Sequence, residues 1–185
     1  GTLMLSGVNT YTGSTTVQQG TLLVSSASRI AGPVSVASGA TLGGEGTVGS
    51  TTVAAGGILA PDYMDRQTGQ QGTGTLRVAG DLTLEAGSTY RIGTSAHYGD
   101  AGRVEVTGTA TLLGGSVLHA SAGFKPNYDY TILTAGNGVN GTFEKVTSNF
   151  AYLAPSLVYA PQSVKLRFEQ NQSFAALAQT PNQRA

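Results

Sequence analysis

Gly1-Thr2-Leu3, Gly20-Thr21-Leu22, Gly39-Ala40-Thr41-Leu42, Gly57-Ile58-Leu59 and Gly74-Thr75-Leu76 repeat one phrase along the first half of the chain. The steps from leucine to leucine are 19, 20, 17 and 17 residues. A second phrase, Thr16-Val17, Val34-Ser35-Val36, Thr52-Val53 and Leu82-Thr83-Leu84, keeps pace between them. Repeats of this length that are made of strands mark a β-solenoid. The glycine supplies a tight bend, and the Thr/Leu/Val run after it has the β-branched, alternating character of a short half-buried strand. Such strands are too short to stand alone. Stacked about 4.8 Å apart, they pair their backbone groups along the stack and bury a column of Leu, Val and Ile. No helical period separates them, which excludes βαβ units. The expected fold is therefore all-β, a right-handed parallel β-helix of roughly eight coils at about 20 residues or slightly more per coil.

Composition narrows the partners. Ten Lys and Arg balance ten Asp and Glu, and only 11% of residues are charged. No face is basic enough to recruit nucleic acid or anionic lipid by charge. The 27 glycines and the absence of Trp suit a turn-rich β protein. The chain has no cysteine, so disulfides and thiolate metal sites are excluded, which suits a chain threaded unbridged through a membrane. No apolar run approaches the roughly 18 residues of a spanning helix, and no signal peptide is recognisable. Because Gly1 opens in mid-repeat, we expect the sequence to be a piece of something longer.

Along the chain, residues 1 to about 60 read as regular coils, punctuated at Gly7, Gly13, Gly32-Pro33, Gly43-Gly44 and Gly56-Gly57. The polar stretch Asp62 to Gly72 reads as a loop inserted between coils, and a second loop is expected from Thr94 to Gly102. Strand alternation returns at Leu76/Val78, Leu82/Leu84, Tyr90/Ile92 and Val104/Val106, with apolar residues inward and Arg77, Thr83, Arg91 and Glu105 outward. Eight of the thirteen aromatic residues fall between Phe124 and Phe168. Aromatic rings bury more area than Val or Thr, so this end is expected to be the most stable part of the stack and the last to unfold. Ser173 to Gln179 reads as a link, and Thr180-Pro181 as a helix N-cap with Pro in the first helical position.

The segment Leu5-Ser6-Gly7-Val8-Asn9-Thr10-Tyr11-Thr12-Gly13-Ser14-Thr15-Thr16-Val17 with Gly20-Thr21-Leu22 closely resembles the passenger-associated repeat of bacterial type V autotransporters. Gly46-Thr47-Val48-Gly49 with Val53 to Pro61, and Val106 to Leu112, resemble further segments of the same proteins. Tyr130-Thr131-Ile132-Leu133-Thr134-Ala135, Gly141-Thr142-Phe143, Tyr152-Leu153-Ala154-Pro155-Ser156-Leu157 and Val164-Lys165-Leu166 follow in the order and spacing of the autochaperone region. Thr180 to Ala185 is similar to the start of the helix that enters the barrel pore, while Asp62 to Gly72 departs from the short turn usual in the family.

The resemblance implies a role as the C-terminal stalk and autochaperone of a surface-exposed passenger, exported across the outer membrane of a Gram-negative bacterium. In this family the passenger emerges C-terminus first, and the autochaperone region closes its β-helix ahead of the barrel. Residues 1–123 would be stalk coils, 124–172 the autochaperone cap, and 173–185 the link to the pore helix. The expected folding-seed core is Tyr130, Ile132, Leu133, Phe143, Phe150, Leu153, Leu157, Tyr159, Val164, Leu166 and Phe168. The implied partners are the outer-membrane barrel and the upstream passenger in cis, with this part monomeric and not inserted in the membrane. An alternative is an adhesin module using loops 62–73 and 94–102 to contact a host surface molecule.

Catalytic chemistry finds little support in the residues. His97 and His119 are the only histidines, no Gly-x-Ser-x-Gly elbow occurs, and both read as ordinary surface residues. Carbohydrate-active β-helices need carboxylates recurring on one face. Asp62 and Asp65 are a single pair in a loop and read as solvated charges. Gly43-Gly44-Glu45-Gly46 lacks the recurring Asp of calcium-binding repeats and reads as a turn. An ice-binding face would need a Thr-x-Thr column, and only Thr109-Ala110-Thr111 fits. Tyr63 and Tyr98 are the loop aromatics that could form a ligand stripe, whereas the later rings read mostly as core. We therefore expect no catalytic residues, metal or cofactor.

Overall fold

The structure, a computed structural model, describes all residues except 11, 62–72, 97, 98, 122, 126, 152 and 171–185. Tyr11, the loop residues Asp62, Tyr63 and Asp65, His97, Tyr98, Tyr152 and the link from residue 173 onward thus lie outside the described residues. The described residues form strands joined by turns, with no helix.

Numbered in chain order, the strands fall into three sheets. The first contains β1 (Thr2–Leu5), β3 (Gly20–Val24), β5 (Ala40–Gly44), β8 (Ile58–Ala60), β11 (Thr89–Ile92), β14 (Ser116–His119) and β17 (Lys145–Ser148). The second contains β6 (Thr47–Val48), β9 (Thr75–Val78), β12 (Arg103–Val106), β15 (Asp129–Ala135), β19 (Ser163–Gln170) and β18 (Leu153–Ala160). The third contains β2 (Thr15–Val17), β4 (Val34–Val36), β7 (Thr51–Val53), β10 (Leu82–Leu84), β13 (Ala110–Leu113) and β16 (Val139–Thr142). From β3 to β17 the chain visits the sheets in constant rotation, Arg29 filling the second-sheet position through bridges to Val8 and Thr47. Among the described residues every strand-to-strand pairing within β1–β17 is parallel, the one antiparallel contact being an isolated bridge between Thr94 and Ala101, an arrangement consistent with a β-helix.

Registration explains the core. In the first sheet Leu3, Leu22, Leu42, Leu59, Tyr90, Val117 and Val146 stand opposite one another in one file. In the third, Val17, Val36, Val53, Leu84 and Leu112 do the same. Because the strand period is two, alternate residues face inward, and these files meet in one continuous apolar core. Each fully buried Leu or Val contributes roughly 1.5–3 kcal/mol of transfer free energy.

One expected register is corrected. The phrase Gly74-Thr75-Leu76 does not continue the leucine file, since Leu76 lies in β9 opposite Val104, and Leu59 is followed instead by Tyr90. With the extra residues between Pro61 and Gly74, a count of 17 from Leu59 reaches only β9, two strands short of the return to the first sheet at β11. Later steps in the first file are correspondingly about 30 residues. The second phrase keeps its register, with Val34, Thr51 and Leu82 aligned in the third sheet.

The outer face of the third sheet carries a single in-register row, Thr16, Ser35, Thr52, Thr83, Thr111 and Asn140. The row is longer than the sequence suggested. The position two residues before it holds Ser14, Pro33, Ser50, Asp81 and Thr109, so no second threonine column runs beside it.

The two ends of the stack differ. At one, β1 and β2 are the terminal strands of their sheets, and Leu3, Met4 and Val8 are exposed. At the other, β18 and β19 fold back as an antiparallel hairpin on β15.

Candidate functional site

The hairpin end is where the chain changes its rules. β15 accepts β12 in parallel on one edge and β19 antiparallel on the other. An antiparallel partner cannot be followed by another parallel coil in the same sense, so the rotation stops here. The pairing of β15 with β19 shifts register between Thr131 and Leu133, a bulge that leaves Ile132 outside the ladder. Ile132 is fully buried, and the Tyr90 hydroxyl, reaching across from the first sheet, donates to its carbonyl.

The hairpin turn clamps the neighbouring corner. Ala135 N–H donates to the Gln162 carbonyl at 2.9 Å, Val139 N–H to the Pro161 carbonyl at 2.9 Å, and Gln162 Nε2 to the Gly136 carbonyl at 2.8 Å. Phe143 N–H donates to the Tyr159 hydroxyl at 3.0 Å. One hairpin therefore satisfies backbone groups at the end of two sheets. Pro155 in β18, the terminal strand of the second sheet, has no N–H to offer a further strand.

Behind the hairpin lies an aromatic cluster. Phe168 packs against His119 at 4.7 Å between ring centroids, against Phe124 at 5.4 Å and against Tyr130 at 6.0 Å. Phe124 meets Phe150 at 5.3 Å, and Phe143 stacks on Tyr90 at 6.0 Å and 14°. Edge and offset contacts of this kind add about 0.5–1.5 kcal/mol each beyond burial. Of the residues expected in the seed core, Tyr130, Ile132, Leu133, Phe143, Leu153, Val164, Leu166 and Phe168 are buried, and Phe150 and Leu157 are partly buried. Tyr159 is 38% exposed, its hydroxyl serving as a backbone acceptor. Burial raises the Tyr130 and Tyr159 phenols above their ordinary pKa.

On the outer face, Arg167 makes a bidentate pair with Asp129, at 2.7 and 2.8 Å, and this hydrogen bonding holds the carboxyl below its usual range. Both side chains are substantially solvated, at 45% and 33%, so screening leaves the pair little net worth. Asp129→Asn is expected to keep the thermal midpoint within about 2 °C of the parent. A larger loss in a calorimetric scan would mean the pair orders the hairpin.

His119 corrects the sequence reading, which placed it on the surface: it is fully buried in β14. Val117 and His119 share the inward parity of that strand, a signal the alternation carried. Nδ1 lies 2.9 Å from Ser148 Oγ and Nε2 2.9 Å from Thr94 Oγ1. A serine beside a histidine invites comparison with a nucleophile and its base. Here burial drives the imidazole pKa from 6.5 down to about 4, and its far nitrogen faces a threonine rather than a carboxylate. A ring that resists protonation in place is a poor general base, and the pair acts structurally.

Residues 1–24 match the family model described as passenger-associated-transport-repeat. An extracellular serine protease of Serratia marcescens is 35% identical over 199 aligned residues, covering 100% of this chain and 18% of the relative. A second protein of the same description and organism is 28% identical over 196 residues, covering 98% of this chain and 18% of the relative. The chain spans under a fifth of the length of these curated relatives. A parallel strand stack closed by an antiparallel aromatic hairpin, a passenger-associated repeat in its first residues and a likeness along its length together show a chain that resembles the passenger region of bacterial autotransporters.

Proposed function

We propose that this chain is the C-terminal stalk and autochaperone of an autotransporter passenger: a right-handed parallel β-helix whose capped end folds first at the cell surface and templates the rest. Right-handed crossovers are the rule for parallel strands returning to one sheet. The observation that carries the reading is the change from parallel coils to an antiparallel hairpin at the end where the large rings gather. A solenoid meets its main folding cost in the first coil, because no earlier edge is present to pair with. The hairpin β18–β19 lowers that cost: its two strands are adjacent in sequence and close on a short turn, so their pairing needs little loop closure.

On this reading, residues 124–172 seed folding and residues 1–123 add coil by coil in the C-to-N direction. Residues 173–185 lead to the outer-membrane barrel. The terminal strands β1 and β2, with exposed Leu3, Met4 and Val8, receive the upstream passenger in cis. Cell-surface or extracellular exposure in a Gram-negative bacterium follows from the same role. The protease activity named for the Serratia proteins would belong to the upstream part of such a protein, and this stretch would not itself be an enzyme.

Hydrogen exchange on the chain tests the seed. Amides in residues 124–170 are expected to exchange more slowly than those in 1–60, and the reverse order would sink the reading. Deleting residues 62–73 or 94–102 from the full-length protein separates this role from adhesion. Secretion intact with adhesion lost would favour a binding module.

A further inference from the structure

His119 stands at the junction between the parallel coils and the antiparallel cap, and its hydrogen-bond partners fix how it is protonated. The Thr94 hydroxyl has one proton, and it lies 2.7 Å from the buried-side Gly123 carbonyl, to which it donates. Thr94 Oγ1 must then accept from His119, so Nε2 carries the hydrogen. Ser148 Oγ accepts the Phe150 N–H at 3.1 Å and donates its own proton to Nδ1. The bonds form one directed chain: Phe150 N–H to Ser148, Ser148 to His119, His119 to Thr94, and Thr94 to the Gly123 carbonyl. The Ser148 link needs a neutral ring, since a proton on Nδ1 would face the Ser148 donor.

The surroundings offer an imidazolium no compensation. The ring is packed by Phe168 and Phe150. Charged side chains on the packed elements occupy strand positions of opposite parity to those facing the ring: Arg91 on β11 beside Ile92, Lys145 on β17 against Ser148, and Lys165, Arg167 and Glu169 on β19 around Phe168. Lys125 sits over the Tyr128 ring, and Asp100 is exposed. Tyr130, which packs on Phe168, is uncharged across the acid range.

We propose that His119 is an acid-release latch, a neutral imidazole that pins the last parallel rungs to the antiparallel cap and lets go when the surroundings turn acidic. Above pH 6.5 the ring is neutral in both folded and unfolded chains, and the latch holds in full. As the pH falls from 6.5 towards about 4, the unfolded chain takes up the proton first, so stability is lost across that window and levels off below it. At pH 4.5 this amounts to on the order of 50–100-fold in the folded-to-unfolded ratio. The biological meaning, a passenger base that loosens in acid, rests on the autochaperone reading, but the latch itself does not.

The test is a thermal midpoint at pH 7.5 and 4.5 for the chain and for His119→Gln, whose amide can donate and accept but does not titrate. The parent is expected to lose about 5–10 °C more than the variant on acidification, and equal losses overturn the latch. A nitrogen-15 NMR titration of the parent needs no variant. A single Nε2–H tautomer persisting below pH 5 supports the latch, whereas an Nδ1–H tautomer or a midpoint near 6.5 overturns it. Because both experiments read the junction directly, they can fail while the hydrogen-exchange order expected of the seed still holds, and the converse.

Discussion

Tyr90→Ala is expected to lower the stability of the chain by roughly 3–5 kcal/mol, the range for removing a large buried aromatic side chain. Tyr90 fills the place of a leucine in the first-sheet file, between Leu59 and Val117, is fully buried, and stacks on Phe143 from the capped end. Its hydroxyl also donates to the carbonyl of Ile132, which is fully buried in the core. The two contributions separate. Tyr90→Phe keeps the ring and deletes only the donor, and loss of one such hydrogen bond costs about 0.5–1.5 kcal/mol. Urea unfolding followed by far-ultraviolet circular dichroism measures both. If Tyr90→Phe were as stable as the parent, the hydroxyl would add nothing to the tie between the first sheet and β15.

Gly44→Ala is expected to be nearly as severe. Gly44 ends β5 with φ at +103°, and an added Cβ would lie 2.2 Å from the Val24 carbonyl oxygen of the preceding rung. That oxygen accepts the N–H groups of both Glu45 and Gly46 at 2.9 Å, so the clash falls on the bond that turns the corner. Left-handed strain of about 1–2 kcal/mol and backbone displacement of about 1–3 kcal/mol give a loss of roughly 2–5 kcal/mol. Gly39→Ala is the control, because φ is +75° there and nothing lies within 4 Å of the added atom. It should lose only about 1–2 kcal/mol. Equal losses at the two sites would show that the rungs can spread at this corner.

These two positions also mark what the sequence discloses and what it does not. The strand phrases were legible because short-range alternation and glycine punctuation are local, and Val34-Ser35-Val36 or Leu82-Thr83-Leu84 can be read without neighbours. The rung on which a phrase sits is not local. It depends on how many residues each corner consumes, so Gly74-Thr75-Leu76 looked like the next step in the leucine file although it lies on another face. The cap was visible as a gathering of rings, but its strand direction was not, because Val164 to Phe168 alternates in the same way whether it pairs parallel or antiparallel. His119 escaped because residue type outweighed parity: a histidine reads as polar, although its position shares the face of Val117. The Tyr90 bond to Ile132 spans 42 residues and three sheets of chain, beyond any pattern within a window.

A tower whose two ends are built differently has a particular evolutionary liberty. Because β18 and β19 close one end while β1 and β2 leave the other as plain parallel edges, a storey can be duplicated or deleted above the foundation without redesigning it. The corner between β8 and β9 shows that even a single storey tolerates inserted material, since Leu59 keeps Leu42 and Tyr90 as its neighbours despite the longer path.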